Sequence, residues 1–266
     1  MPAPPGESLE LGPLSISGYG AMVLLGYLLW VLITARLWAR GGGDPIEAAW
    51  ACLIAAPAAL IGARIYHVVT DFSLYQEDPG GILDVGGGGL GIFGAIAGGV
   101  LALVVYAGAR GWPIATFLDC AVVGVPLAQA LGRFGNWFNQ ELIGGPTDLP
   151  WALQVELPYR PVEYQSFAAF HPAFLYESLL NLMVFATLVV LWKPLLTRFR
   201  HGAIVGAYLV LYGAARILVE AIRIEPSVLI GPFRLNQVVA FLVLATGVLI
   251  LTLLDRRRLE RQRLRR

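Results

Sequence analysis

Residues 114–145 read IATFLDCAVVGVPLAQALGRFGNWFNQELIGG. The run up to Leu131 is nearly all apolar and, as a helix, is about long enough to cross the roughly 30 Å of hydrocarbon in a bilayer. It then meets Arg133 and a crowd of amides and a carboxylate: Asn136, Asn139, Gln140 and Glu141. The whole chain shares the apolar character. Of its 266 residues 57% are hydrophobic and 14% charged, where a soluble domain carries about 25% charged residues. Lipid is therefore the expected solvent. The long continuous runs predict helices, since a membrane barrel would alternate apolar and polar residues.

Working outward from this segment, seven spans are expected, over 18–38, 46–68, 90–108, 114–134, 172–192, 203–222 and 235–254. The predicted fold is an all-α integral membrane protein with one polytopic domain over residues 1–266. Its connections are short apart from a loop at 135–171 rich in Pro, Gly and aromatics, too polar to lie bare in lipid. The N-terminal MPAPPGESLELG lacks a basic segment and does not read as a cleaved signal peptide. Cys52 and Cys120 lie in apolar runs and fit no metal or redox spacing.

Charge sets the expected orientation. Arg36, Arg40, Arg110, Lys193, Arg198, Arg200 and the seven arginines of the tail at 255–266 place thirteen of nineteen basic residues on one side, the cytoplasm. That puts the N-terminus outside and the C-terminus inside, with the tail against anionic headgroups. The opposite loops are acidic, with Glu7, Glu10, Asp71, Glu77, Asp78 and Asp84, yet the other six arginines fall there: Arg64, Arg133, Arg160, Arg216, Arg223 and Arg234. Arginine in or near a leaflet is costly unless it has a partner.

Four groups of polar residues converge on that outer side. Arg133 and Asn136 share a helix face if the fourth span extends that far, with Glu141 and Gly144 following. A guanidinium can grip phosphate through two parallel hydrogen bonds; snorkelling alone would account for Arg133 but not for the amides beside it. Tyr212, Arg216, Glu220 and Arg223 follow spacings of 4, 4 and 3 on one stripe, either as a site or as an ion pair that holds helices together. HPAFLYES at 171–178 supplies His171 and Glu177; an intramembrane carboxylate needs a partner, and an outer arginine is the natural one. Tyr19, Arg64 and His67 form a looser group, with an interfacial anchor as the other reading of Tyr19. Gathered arginines buffered by carboxylates and amides suit an anion that lives in the membrane, a phospholipid headgroup. The residues alone do not specify a reaction.

Two further patterns are packing signals. Gly94–Gly98 and Gly202–Gly206 are small-residue pairs that let helices approach. GLGIFG at 89–94 matches G-x-G-x-x-G, but a glycine run leading into a span is the wrong setting for a dinucleotide.

GRFGNWFNQELIGG at 132–145 closely resembles the signature of the prolipoprotein diacylglyceryl transferases. HPAFLYES, YGAARILVEAIRIEP, the early ISGYG and GGLGIFGAIAGG are similar to further stretches of that family in the same order, over roughly residues 14–254. The resemblance implies transfer of the diacylglyceryl group of phosphatidylglycerol to the lipobox cysteine of a preprolipoprotein signal peptide. A thioether forms and glycerol phosphate leaves, at the outer face of the bacterial plasma (inner) membrane. It implies no metal, no organic cofactor and no nucleic acid, with membrane lipid and preprolipoprotein as partners. It places Arg133 at the phosphatidylglycerol-binding position and Asn136, Glu141 and Gly144 on other functional positions. Tyr212 and Arg216 match the sixth-span pair, and Tyr19 the first-span tyrosine. The catalytic set is then Arg133, Arg216, Tyr212, Asn136 and Glu141, with Gly144, Tyr19, His171, Glu177, Glu220 and Arg64 joining Arg133 in substrate binding. Where many members carry a third-span histidine, this chain has Phe93, which takes no proton. A base, if one is used, is His171 or His67 on the outer side, His201 being cytoplasmic. A transporter and a structural scaffold are the rival readings; no internal repeat supports the first, and the second leaves the outer arginines without a role.

Overall fold

Asp44 opens the second helix by accepting a hydrogen bond from the Ile46 amide at 2.8 Å, with Pro45 in the first turn. That is the expected chemistry of a helix start, where the first amides lack partners. The computed structural model describes residues 1–4, 6–11, 14–77, 79–83, 88–224 and 228–263. Asp78 and Asp84 of the acidic loops, Glu225 and Pro226 of the sixth-span motif, and the last arginines, Arg265 and Arg266, lie outside the described residues.

The helices are α1 (Gly18–Arg40), α2 (Pro45–Thr70), the short α3 (Phe72–Glu77), α4 (Ile92–Ala109), α5 (Ile114–Phe138), α6 (Ala173–Phe199), α7 (Ala203–Glu220) and α8 (Leu235–Arg263). All but α3 are long and apolar enough to cross a membrane, seven in number among the described residues. The all-α multi-pass architecture read from the sequence is thus found. Three two-stranded antiparallel hairpins decorate it: β1 (Ser8–Leu11) with β2 (Leu14–Ser17), β3 (Leu153–Gln154) with β4 (Ala169–Phe170), and β5 (Leu229–Ile230) with β6 (Phe233–Arg234).

Two helix ends differ from expectation in ways that matter. The fourth span carries Pro126 within it and continues through Arg133 to Phe138, since no proline lies between those two residues and Gly135 is tolerated on the helix. It stops where Gln140 and Leu142 take positive φ values of 50° and 56°. The sixth span ends at Glu220, so Arg223 is not on the helical stripe. It lies instead in extended chain, bridged antiparallel to Gly144.

The chain divides into two compact units. In residues 31–120, α2 and α4 pack backbone to backbone. A Cβ on Gly62 would lie 2.3 Å from the Gly94 carbonyl oxygen, and one on Gly98 2.3 Å from that of Ala58. Only glycine permits such proximity, so the Gly94–Gly98 pair acts in packing as read. Trp38, Trp112 and Phe117 form an aromatic cluster in the same unit, with ring centroids 4.7–5.3 Å apart.

The other unit, residues 1–30 and 121–266, carries α5 to α8. Here α7 and α8 meet through Gly206 and Gly247, where a Cβ on Gly247 would lie 2.6 Å from the Gly206 carbonyl oxygen. The loop after α5 has an apolar core of its own, with Ile143, Leu153, Val155 and Phe170 buried against Phe174 at the start of α6. Burial of those side chains anchors the connection between α5 and α6 and so fixes the polar residues at its edges.

Candidate active site

Glu177, one turn into α6, is buried to 5% exposure and takes guanidiniums from three elements. Arg133 Nε on α5 lies 2.6 Å from its Oε2; Arg216 Nη1 on α7 lies 3.3 Å and Arg223 Nη1 3.4 Å from its Oε1. Arg216 also pairs with Glu220 one turn along α7, Nη2 to Oε2 at 2.9 Å. Glu220 in turn holds Arg234 Nε at 3.2 Å and accepts from Asn236 Nδ2 at 3.2 Å. Buried charges of this kind persist only when each is paired. Among the described residues the pairing forms a continuous network in which four arginines meet Glu177 and Glu220 at the ends of α5, α6, α7 and the approach to α8.

The helical overrun of α5 is what places Asn136 within reach of Arg133. Arg133 Nη1 donates to Asn136 Oδ1 at 3.3 Å, and Asn136 Nδ2 donates to Glu141 Oε1 at 2.9 Å. Glu141 reaches back because its amide donates to the Asn136 carbonyl at 3.0 Å, closing the turn that Gln140 and Leu142 make in left-handed conformation. A leucine at positive φ is uncommon and signals a turn held by its surroundings. Asn139 Nδ2 adds a second donor to Glu141 at 3.1 Å.

Gly144 and Gly145 stitch the site together. The Gly144 amide donates to the His171 carbonyl at 3.0 Å, and the Gly145 amide to that of Ile222 at 3.2 Å, while the His171 amide returns a bond to Gly145 at 2.9 Å. A Cβ on Gly144 would lie 2.7 Å from that of His171. Gly144→Val is therefore expected to part the segments that carry Glu177 and Arg223, costing about 1–3 kcal/mol in stability and more in any activity of the site. A lowered unfolding midpoint in detergent checks the first; restoration by Gly144→Ala beyond the valine level is not expected, since the first methyl already clashes.

The whole-chain comparisons bear directly on this arrangement. A family model described as prolipoprotein diacylglyceryl transferase matches residues 7–253. A protein of Cutibacterium acnes is 40% identical over 261 residues, covering 97% of this chain and 87% of that one. One from Synechococcus elongatus is 39% identical, covering 92% and 86%, and one from Corynebacterium glutamicum 37%, covering 97% and 85%. All three carry the name phosphatidylglycerol–prolipoprotein diacylglyceryl transferase. The chain belongs to the prolipoprotein diacylglyceryl transferase family.

The residues singled out by sequence fall into three sets. Arg133, Asn136, Glu141, Glu177, Arg216 and Glu220 share the charged network. Tyr212 lies beside it: with Glu177, Asn181 and Arg216 it lines a cleft between α6 and α7, and its ring stacks on Tyr208 at 5.6 Å. Tyr208 in turn donates to Gln129 Oε1 at 3.3 Å, one turn before Arg133. Tyr19 packs its ring on the backbone of Gly135, where a Cβ would lie 2.7 Å from Cδ2. His171 contributes backbone to the Gly144 stitch, while its Nδ1 shares a hydrogen bond with the Tyr176 hydroxyl at 3.2 Å, which also accepts from Trp151 Nε1 at 2.8 Å.

Arg64 and His67 belong to the other unit. Arg64 donates to the carbonyls of Ile82 (2.9 Å), Gly88 (2.8 Å), Gly89 (2.9 Å) and Gly81, and its guanidinium sits over the Tyr75 ring. It clamps the glycine-rich loop before α4, whose second residue is Phe93. His67 Nδ1 shares a hydrogen bond with the Tyr75 hydroxyl at 2.9 Å. The sequence reading puts Arg223 in one polar group with Tyr212, Arg216 and Glu220, and the structure brings it to Glu177 from beyond the helix end. Arg234 has no place in that reading beyond its outer location, and its position two residues before Asn236 is the local signal that pointed to Glu220. Among the described residues no group of His, Cys, Asp and Glu is arranged to hold a metal ion.

Proposed function

We propose that this multi-pass membrane protein transfers the diacylglyceryl group of phosphatidylglycerol to the thiol of the lipobox cysteine of a preprolipoprotein, the first step of lipoprotein maturation. The observation that carries the reading is the convergence of Arg133, Arg216 and Arg223 on Glu177 beside a cleft that Tyr212 lines. The thiolate attacks the glyceryl carbon bonded to the phosphate oxygen. A carbon–sulfur bond forms, the carbon–oxygen bond breaks with its electron pair going to the phosphate, and glycerol phosphate leaves, while the proton given up by the thiol passes to water or to the departing phosphate. A free thiol loses that proton near pH 8.5, and a positive field lowers the value. The same field stabilises charge arriving on the phosphate.

Arg133 is assigned to the phosphate, as the most exposed guanidinium of the network at 24% of its side chain. Arg216 steadies the reacting centre, Asn136 and Glu141 orient Arg133 and the glycerol head, and Tyr212 donates to the leaving oxygen. Glu177 and Glu220 hold the arginines in place, Gly144 and the His171 backbone hold the segments that carry them, and Tyr19 braces the end of α5. Both substrates, the lipid and the signal peptide, arrive through the membrane. The thirteen basic residues gathered on one side support an N-terminus outside, a cytoplasmic C-terminus and a site at the outer face of the bacterial plasma membrane.

Incubation of the purified protein with phosphatidylglycerol and a lipobox peptide tests the reading. A diacylglyceryl mass gain on the peptide cysteine, with glycerol phosphate released, is the expected result. Lipid movement between leaflets with an unmodified peptide would instead mark a transporter.

A further inference from the structure

The β3–β4 hairpin has one edge that β4 does not cover. Leu153 and Gln154 pair with Phe170 and Ala169, and the Val155 amide donates to the Ala168 carbonyl at 3.1 Å. Backbone groups of successive strand residues point to opposite sides, so the Ala152 carbonyl and the Gln154 amide face away from β4. Extended chain already sits there. The Met1 nitrogen donates to the Ala152 carbonyl, and the Gln154 amide donates to the Met1 carbonyl at 2.9 Å. The next residue crosses the end of α5, where the Pro2 carbonyl accepts from Trp137 Nε1 at 3.4 Å. Residue 1 is thus held on β3 through backbone groups, in the manner of a third strand, and the side chains of Met1, Pro2 and Gln154 are exposed.

This edge adjoins the charged network. Strand β4 runs into His171 and α6, which carries Glu177. Trp151, next to Ala152, donates through Nε1 to the hydroxyl of Tyr176, the residue before Glu177, at 2.8 Å. The Glu156 amide donates to Gln140 Oε1 at 2.9 Å, which ties the chain after β3 to the turn after α5. Chain on the edge passes over Trp137, one residue from Asn136. All of these residues lie in the unit that carries α5 to α8.

A strand edge is a ready template for another chain, and strand addition draws its affinity from main-chain bonds. We propose that the 152–154 edge docks the preprolipoprotein: the residues that follow its lipobox cysteine displace Met1 and Pro2, pair in extended form with β3, and so present the cysteine to the network. This rests on the reading of the protein as a transferase that acts on preprolipoproteins. The signal peptide before the cysteine is apolar and arrives through the membrane, whereas β3 belongs to the polar loop between α5 and α6, so the chain beyond the cysteine is the part that meets it. Displacement exchanges two backbone bonds for two of the same kind, which leaves hydrogen bonding nearly balanced. The edge engages its occupant by an amide and a carbonyl, so it accepts peptides of differing sequence and rejects proline where an amide must donate.

The test uses the full-length protein in detergent and a fluorescent synthetic lipobox peptide in which serine replaces the cysteine, so that binding is read without transfer. In a series of versions, one backbone N–H at a time after that serine is replaced by an ester oxygen. The expected result is a loss of affinity of about tenfold at one position, where the amide bonded to Ala152 is removed, with both neighbouring positions close to the parent peptide. Gln154→Pro removes the outward amide, leaves that of Val155 on β4, and places proline on an edge, where a strand tolerates it. It is expected to bind the parent peptide about tenfold more weakly. An equal response at every ester position, no binding of the parent peptide, or a folded Gln154→Pro protein that binds as the wild type does overturns the proposal. The ester series is read on the wild-type chain and decides the matter even where Gln154→Pro fails to fold. Position-specific, amide-dependent binding by a protein that transfers no diacylglyceryl group to the cysteine peptide leaves the docking edge standing and removes the transferase reading. Transfer with no sensitive amide position does the reverse.

Discussion

Replacing Arg133 with alanine is expected to lower kcat/KM for phosphatidylglycerol-dependent transfer by about a thousandfold, roughly what loss of a donor to a developing oxyanion costs. The side chain is the most exposed of the four guanidiniums in the network, which makes it the one best placed to meet a ligand. Its loss leaves Glu177 with two arginines, at 3.3 and 3.4 Å, so the carboxylate stays paired and the fold is retained. Arg133→Lys restores the charge but not the planar fork that binds phosphate through two bonds, and is expected to recover only a small part of the rate. Transfer assays with the unfolding midpoint measured in parallel separate the two effects: a large loss of rate at a nearly unchanged midpoint is the predicted pattern.

Glu177→Gln is expected to act in the opposite way, on stability first. The glutamine keeps the size of the side chain and removes the one negative charge at which three guanidiniums converge. Breaking a buried ionic network by removing one member costs about 3–5 kcal/mol, because the charges left behind lack compensation. The unfolding midpoint is expected to fall by about 10 °C. Adding Arg223→Gln removes one of the stranded charges and is expected to recover part of that loss, a coupling that a double-mutant cycle reads directly. Equal losses in the single and double variants would show that Glu177 and Arg223 do not share the environment described.

How much of this could be read beforehand follows from the range of each interaction. The seven spans were legible because about twenty apolar residues in succession have few alternatives in a polytopic chain. The pairing of an arginine with Glu177 was legible in kind, since a carboxylate within a span demands a cation. That three arginines meet there was not, because Arg133, Arg216 and Arg223 come from segments 39 to 46 residues away, and only the tertiary fold selects them. The bridge from Gly144 to Arg223 has the same origin; Gly144 reads locally as a turn residue, and its closeness to His171 and Ile222 belongs to the folded chain. Arg64 shows the converse. It was grouped with the outer binding residues by location, and it donates to four carbonyls of a glycine-rich loop, three of them glycine carbonyls. A run of glycines ahead of a span leaves carbonyls in need of donors, which is the signal a closer reading of 81–89 would have used.

The claim on which the account turns is that guanidiniums gathered at Glu177 hold the phosphate of a membrane lipid. An experimentally determined structure of the protein with phosphatidylglycerol bound tests it most directly. The predicted result is a headgroup phosphate within hydrogen-bonding distance of Arg133, with its glyceryl carbon open to the cleft lined by Tyr212 and Arg216. A lipid phosphate seated elsewhere, with Arg133 still closed on Glu177 and Asn136, would contradict it.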